Sequence, residues 1–176
     1  FPPYEEGLRE GLFCRLPSGE VVRGPVWPGL AAFPDFTDPK ARAWWGEKLK
    51  GFLEMGVAGL WLDMNEPALF AAWGEPTLPA SARHALEGQG GDHRLAHNLY
   101  GLLMARASWE GFRKHAPERR PFLLTRSGHA GVQRYAWAWT GDVESTWEGL
   151  RTTLRALLGL SLSGVYFVGS DIGGFS

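Results

Sequence analysis

Residues 56–70 read GVAGLWLDMNEPALF, an apolar run that ends in two carboxylates and an amide within four positions. Val57, Ala58, Leu60, Trp61 and Leu62 have the character of a strand buried on both faces, the habit of strands in parallel sheets. Such a strand can carry any polar residue where it meets solvent. Asp63, Asn65 and Glu66 therefore take their meaning from the rest of the chain.

Just upstream, TDPKARAWWGEKLKGFLEMG (residues 37–56) predicts a helix with Asp38 as N-cap and Pro39 at its first position. Ala41, Trp44, Trp45, Leu49, Phe52 and Leu53 form its apolar stripe, and Gly56 closes it. Residues 1–36 are rich in Gly and Pro with little periodicity and are read as a loop-rich lead-in, not a packed element. Downstream, residues 67–92 show no clear period, which suggests a functional loop or an insertion. A second helix is expected from about His93 to His115, with Leu95, Leu99, Leu102, Leu103, Ala107 and Phe112 on its inner side.

The opening pattern then repeats. RPFLLTR ends in Arg126, YAWAWTGD in Asp142 and GVYFVGSD in Asp171, with a helix to about Leu158 started by a capping box of Ser145 and Glu148. Strands alternating with helices pair in parallel, so their C-terminal ends share one edge. Asp63, Arg126, Asp142 and Asp171 are thereby brought to the edge where such folds bind ligands.

Composition narrows the chemistry. A net charge of −1 gives no basic stripe for nucleic acid, and no 18-residue apolar window exists to cross a membrane. The single cysteine, Cys14, can form no internal disulfide, and no basic stretch followed by an apolar one opens the sequence; together these suggest an intracellular, cytoplasmic protein. His93 and His97 are spaced to share a helix face, yet no third ligand lies nearby in sequence, so exposure on the helix surface or polar contacts at its N-terminus are expected there and no metal. Three carboxylates and a guanidinium suit glycoside hydrolysis, in which one acid protonates the leaving oxygen while the other attacks or activates water. Nine tryptophans fit a neutral carbohydrate partner, since indole faces pack against sugar C–H faces; Trp27, Trp61 and Trp139 stand nearest the candidate site.

WLDMNEP, LLTRSGHAGVQRYAWAWTGDVESTW and GVYFVGSDIGGF, in this order, resemble segments of glycoside hydrolase family 31, the α-glucosidases and their relatives. VWPG and FPDFTDPKARAWW upstream are similar to the same family. The resemblance implies a retaining α-glycosidase without cofactor on a (β/α)8 barrel, with Asp63 as nucleophile and Asp142 as acid/base. It further implies that Arg126 and Asp171 bind sugar hydroxyls and that Trp61, Met64, Trp139 and Phe175 wall the pocket. The DMNEP form is similar to the α-glucosidase branch, which makes glucose the expected sugar.

A complete barrel takes eight strands and about 250 residues. The expected fold is therefore α/β, a partial (β/α)8 TIM barrel comprising about strands four to seven with their helices. Residues 1–176 are read as a fragment of the catalytic domain, with 1–36 as lead-in and 37–176 as βα units. The resemblance also implies an acidic sugar-binding residue on an earlier strand and a histidine on a later one, and neither stretch occurs in this sequence. The isolated chain is accordingly expected to be inactive, and to need either the missing part of the barrel or a homo-oligomer to cover its sheet edges and an apolar inner face around Leu60, Leu124, Trp137 and Phe167. Two other readings compete. In one, Glu66 is the acid/base of a β-retaining barrel hydrolase, against which its plainer role is to brace the loop with Asn65. In the other, the chain binds sugar without turning it over. By strand alternation Trp61, Asp63 and Asn65 are expected on one face.

Overall fold

The computed structural model describes residues 1–70 and 76–176. Four strands, β3 (Gly59–Leu62), β6 (Phe122–Thr125), β7 (Trp137–Trp139) and β8 (Val168–Gly169), form one parallel sheet in that order. The register pairs Trp61 with Leu124 and Leu124 with Trp137, and carries on through Ala138 opposite Val168. Helices α2 (Pro39–Glu54), α3 (His93–His115) and α4 (Trp147–Leu162) alternate with these strands, as the sequence predicts.

Local chemistry accounts for the helix ends. Asp38 caps α2 by accepting from the Lys40 amide at 2.8 Å, and Asp92 caps α3 by accepting from the Arg94 amide at 3.1 Å. The cap of α4 lies one residue later than expected: Thr146, not Ser145, accepts from Gly149 N at 3.0 Å, and the helix runs past Leu158 to Leu162. Its row of Trp147, Leu150, Leu154 and Leu158 is exposed.

The sheet's alternation decides what packs where. Leu62, Leu123 and Ala136 face α2 and α3 in a core with Leu49, Leu53 and Phe112, and Leu60 packs against the same cluster. The opposite face carries Trp61, Phe122, Trp137 and Phe167, all exposed, so Leu60 does not belong to the inner face as expected. Helices α2 and α3 cross closely because two glycines meet: a Cβ on Gly111 would lie 2.7 Å from Gly46 Cα. Leu95, expected inward on α3, is exposed, and so is Phe52 of α2.

The lead-in is a packed element, contrary to the sequence reading. Helix α1 (Pro2–Glu10) ends on a left-handed Gly11, Tyr4 stacks on Phe13 at 5.7 Å, and Glu6 pairs with Lys48 of α2 at 2.6 Å. The antiparallel pair β1 (Arg23–Val26) and β2 (Gly29–Ala32) follows. Cys14, Val22, Phe33 and Phe36 then build a second core with Tyr100 and Ala107 of α3. Helix α3 is thus covered on two sides, so residues outside the expected inner side, such as Ala96, Tyr100 and Ala105, are buried as well.

Of the 67–92 stretch read as a loop or insertion, residues 71–75 lie outside the described residues. The remainder includes β4 (Arg83–His84), a 3-10 turn (Leu86–Gly88) and β5 (Gly91–Asp92). It is held by a buried polar network. Asp35 accepts from the Thr37 amide, the Thr37 hydroxyl and the Ala85 amide, and His84 Nδ1 lies 3.0 Å from the same carboxylate. His84 Nε2 continues to His93 Nδ1 at 3.0 Å, and His93 Nε2 to the Thr77 hydroxyl at 3.3 Å. His93 is buried in this chain of contacts and does not sit on the helix surface. Cys14, Asp35 and His84 lie close enough to share an ion, but each of these groups already has a protein partner. Among the described residues, no helix is long and apolar enough to cross a membrane.

Candidate active site

Asp63 follows directly on β3 and Arg126 directly on β6, and the parallel register of Leu62 with Thr125 sets them side by side. Arg126 Nη1 lies 3.0 Å from Asp63 Oδ1. The same guanidinium donates through Nε and Nη2 to Glu66 Oε1 and Oε2 at 2.9 and 3.0 Å, a two-pronged pair whose geometry matches the planar fork of arginine. The hydrogen bonds that Arg126 donates to Glu66 raise its pKa, and the negative charges of Glu66, Asp63 and Asp142 add to this against the opposing effect of burial. Both Glu66 oxygens are engaged with Arg126, a contact that fits the bracing role.

Asp142 reaches the same corner through the β7 loop. Gly141 before it has a positive φ of 74°, and a Cβ there would touch the Arg126 side chain at 3.5 Å. Trp61 and Trp139 meet edge to face with ring centres 5.5 Å apart, so two indoles stand on the sheet face that Asp63 shares. Met64 follows Asp63 with a φ of 53°, and its amide donates to Asp63 Oδ1 at 2.8 Å. This left-handed residue ends the strand. Asn65 consequently turns inward and is buried, where alternation placed it on the face of Trp61 and Asp63.

The remaining predicted residues make their contacts elsewhere in the chain. Asp171 follows β8 and borders a cavity of about 460 Å³ between the 143–147 loop, the start of α4 and residues 171–174; Asp63, Arg126 and Asp142 do not line it. Phe175 is exposed, and its amide bonds to Val143 O at 2.7 Å, which ties the last residues to the Asp142 loop. Trp27 projects from the β1–β2 turn, is 80% exposed and meets only Phe70 among the described aromatic rings, at 4.9 Å. Sequence reasoning missed Thr125 and Ser127, which hold Asn65 from beneath. A hydroxyl and a loop serine give no periodic signal that would single them out.

A sequence profile of the glycosyl hydrolases family 31 TIM-barrel domain matches residues 1–176. The chain belongs to glycoside hydrolase family 31. Its four parallel strands with their helices are accordingly part of the family 31 barrel. Over 173 residues the chain is 47% identical to alpha-glucosidase 2 of Bacillus thermoamyloliquefaciens, covering 98% of this chain and 22% of that protein. It is 40% identical over 193 residues to an alpha-glucosidase of Saccharolobus solfataricus, covering 99% of this chain and 27% of that one. Among solved structures, the glucosidase II alpha subunit in its DNJ-bound form superposes with a TM-score of 0.89 at 32% identity, covering 99% of this chain and 19% of that one. The chain thus spans about a fifth to a quarter of the length of these family 31 relatives.

Proposed function

We propose that these residues form the catalytic corner of a retaining α-glucosidase that cleaves terminal α-glucosides. The observation that carries this reading is the grouping at one sheet edge of Asp63, Arg126 and the Trp61–Trp139 pair, in a family 31 chain whose relatives are named α-glucosidases. In the first step an Asp63 carboxylate oxygen attacks the anomeric carbon as the glycosidic C–O bond breaks, and Asp142 gives its proton to the departing oxygen. In the second, the Asp142 carboxylate takes a proton from water, whose oxygen attacks the same carbon and releases the sugar from Asp63. Two inversions leave the anomeric configuration unchanged.

Arg126 and Asp171 are assigned to sugar hydroxyls, and Trp27, Trp61, Met64, Trp139 and Phe175 to the pocket walls. Arg126 is suited to a shared role because its Nη1 faces Asp63 while Nε and Nη2 are held by Glu66. A hydroxyl bound there is fixed relative to the attacking carboxylate. The test is to treat the natural gene product that carries these residues with a 2-deoxy-2-fluoro-α-glucosyl donor and sequence the labelled peptide. Label on Asp63, abolished in Asp63→Ala, is the expected result; label on Glu66 or elsewhere would overturn the assignment.

A further inference from the structure

Asn65 takes no part in the chemistry above, yet it is 2% exposed between Asp63 and Glu66, whose side chains are 43% and 33% exposed. Both ends of its amide are engaged on the two residues that flank Arg126. Asn65 Nδ2 donates to Thr125 Oγ1 at 2.7 Å, and Asn65 Oδ1 accepts from the Ser127 amide at 3.0 Å. The Thr125 hydroxyl in turn donates to Ser127 O at 2.7 Å, closing the ring of contacts.

The need for such a device follows from the backbone. The β3–β6 pairing ends with Arg126 N donating to Leu62 O at 3.1 Å, and the left-handed Met64 then takes the chain out of strand conformation. Past that point, among the described residues, the main chain supplies no further ladder bond between the two ends. A primary amide has the same donor and acceptor as a peptide group, so it can continue the ladder where the backbone cannot.

We propose that Asn65 is a positioning residue: its side-chain amide extends the β3–β6 ladder one step and thereby fixes Arg126 against Asp63 and Glu66. The grip interleaves the two segments, with residues 125 and 127 bound by Asn65 and the guanidinium bound by Asp63, two residues before Asn65, and Glu66, one after it. Helix α3 backs it. Gly101 lies so close that a Cβ would stand 2.7 Å from Ser127 O and 3.0 Å from Asn65 O. Any side chain there pushes on the grip without removing a polar group.

For its catalytic consequence the proposal rests on Asp63 being the nucleophile; its structural consequence does not. The experiment uses the natural gene product and three changes, Asn65→Ala, Asn65→Asp and Gly101→Ala. The first readout is solvent exchange of the Arg126 Nε proton by NMR. It should be slow in the parent protein and at least tenfold faster in Asn65→Ala and Gly101→Ala, with Asn65→Asp between because it keeps the acceptor and loses the donor. The second is the rate of covalent labelling of Asp63, which should fall about a hundredfold in Asn65→Ala, the penalty of roughly 1 Å of misplacement. The double variant Asn65→Ala/Arg126→Ala should label no more slowly than Arg126→Ala alone, because residues that act through one another do not add. Unchanged Nε exchange, or losses that multiply in the double variant, would overturn the proposal. If Asn65→Ala does not fold, Gly101→Ala decides by the same two readouts. Label found away from Asp63 in the parent protein counts against the assigned chemistry and leaves the exchange result standing.

Discussion

Burial of His93 makes one region acid-labile, by an amount that can be worked out. Burial pushes the His93 pKa down to about 4, with the nearby charges of His84 and His97 adding to the effect and Asp92 opposing it. Native His93 is therefore neutral across a range in which a solvated imidazole, with a pKa of about 6.5, takes up a proton. Sign follows directly: between those two values the opened state binds more protons than the native one, so lowering the pH favours opening. Integrating from pH 7, the loss is about 1.2 kcal/mol at pH 5.5 and about 2.8 kcal/mol at pH 4, the latter roughly 120-fold in the opening equilibrium. Asp35 adds a further loss at lower pH: burial pushes its carboxyl up, but the bonds from His84, Thr37 and the Ala85 amide outweigh this and leave its pKa lowered. The reporters are the amides of Ala85 and Leu86, which bond to Asp35 Oδ2 and Thr37 Oγ1. Native-state hydrogen exchange, corrected for intrinsic rates, should show their protection falling by these factors from pH 7 to 4. A His93→Gln variant, which keeps polar contacts but cannot titrate, should lose most of that dependence. Parallel pH profiles for parent and variant would refute the reasoning, since the acid sensitivity would then lie elsewhere.

Three further outcomes are expected. Thr146→Ala should destabilise α4 by about 1 kcal/mol in chemical denaturation, and Ser145→Ala should change little, because only Thr146 caps the Gly149 amide. Gly111→Ala should cost about 1–3 kcal/mol by the same measurement, as the added methyl meets Gly46 backbone at 2.7 Å and the helices must part. Asp142→Ala in the natural gene product should slow hydrolysis of natural α-glucosides far more than of nitrophenyl α-glucoside, and azide should restore part of the rate. Equal impairment of both substrates with no azide effect would move the acid/base role to another residue.

Much of the architecture was legible locally. Asp38 with Pro39 marked the start of α2, the apolar spacing from His93 to His115 marked α3, and the recurrence of a charged residue after each short apolar run marked the edge that gathers Asp63 and Arg126. These signals lie within a few residues of what they specify, because capping bonds and strand ends are made by near neighbours. Even the overlooked α1 had its marks in Pro2, Pro3, Glu5 and Gly11, but nine residues are too few to hold a helix unless Phe13 and Lys48 receive it.

What the sequence by itself determined, then, is the order and kind of the main βα elements and the presence of Asp63, Arg126, Asp142 and Asp171 at their tips. Tertiary structure alone decided which way the side chains between them face. Leu60 turns to the helices and Trp61 away from them because α2 and α3 cover only one side of the sheet. Asn65 turns inward because Met64 breaks the strand's alternation, and its partners Thr125 and Ser127 lie 60 and 62 residues away in sequence. Asp35, His84 and His93 become one network through contacts spanning 49 and 9 residues. A side chain's period reports its own backbone, whereas its environment is made by segments distant along the chain, and only their packing brings the two together.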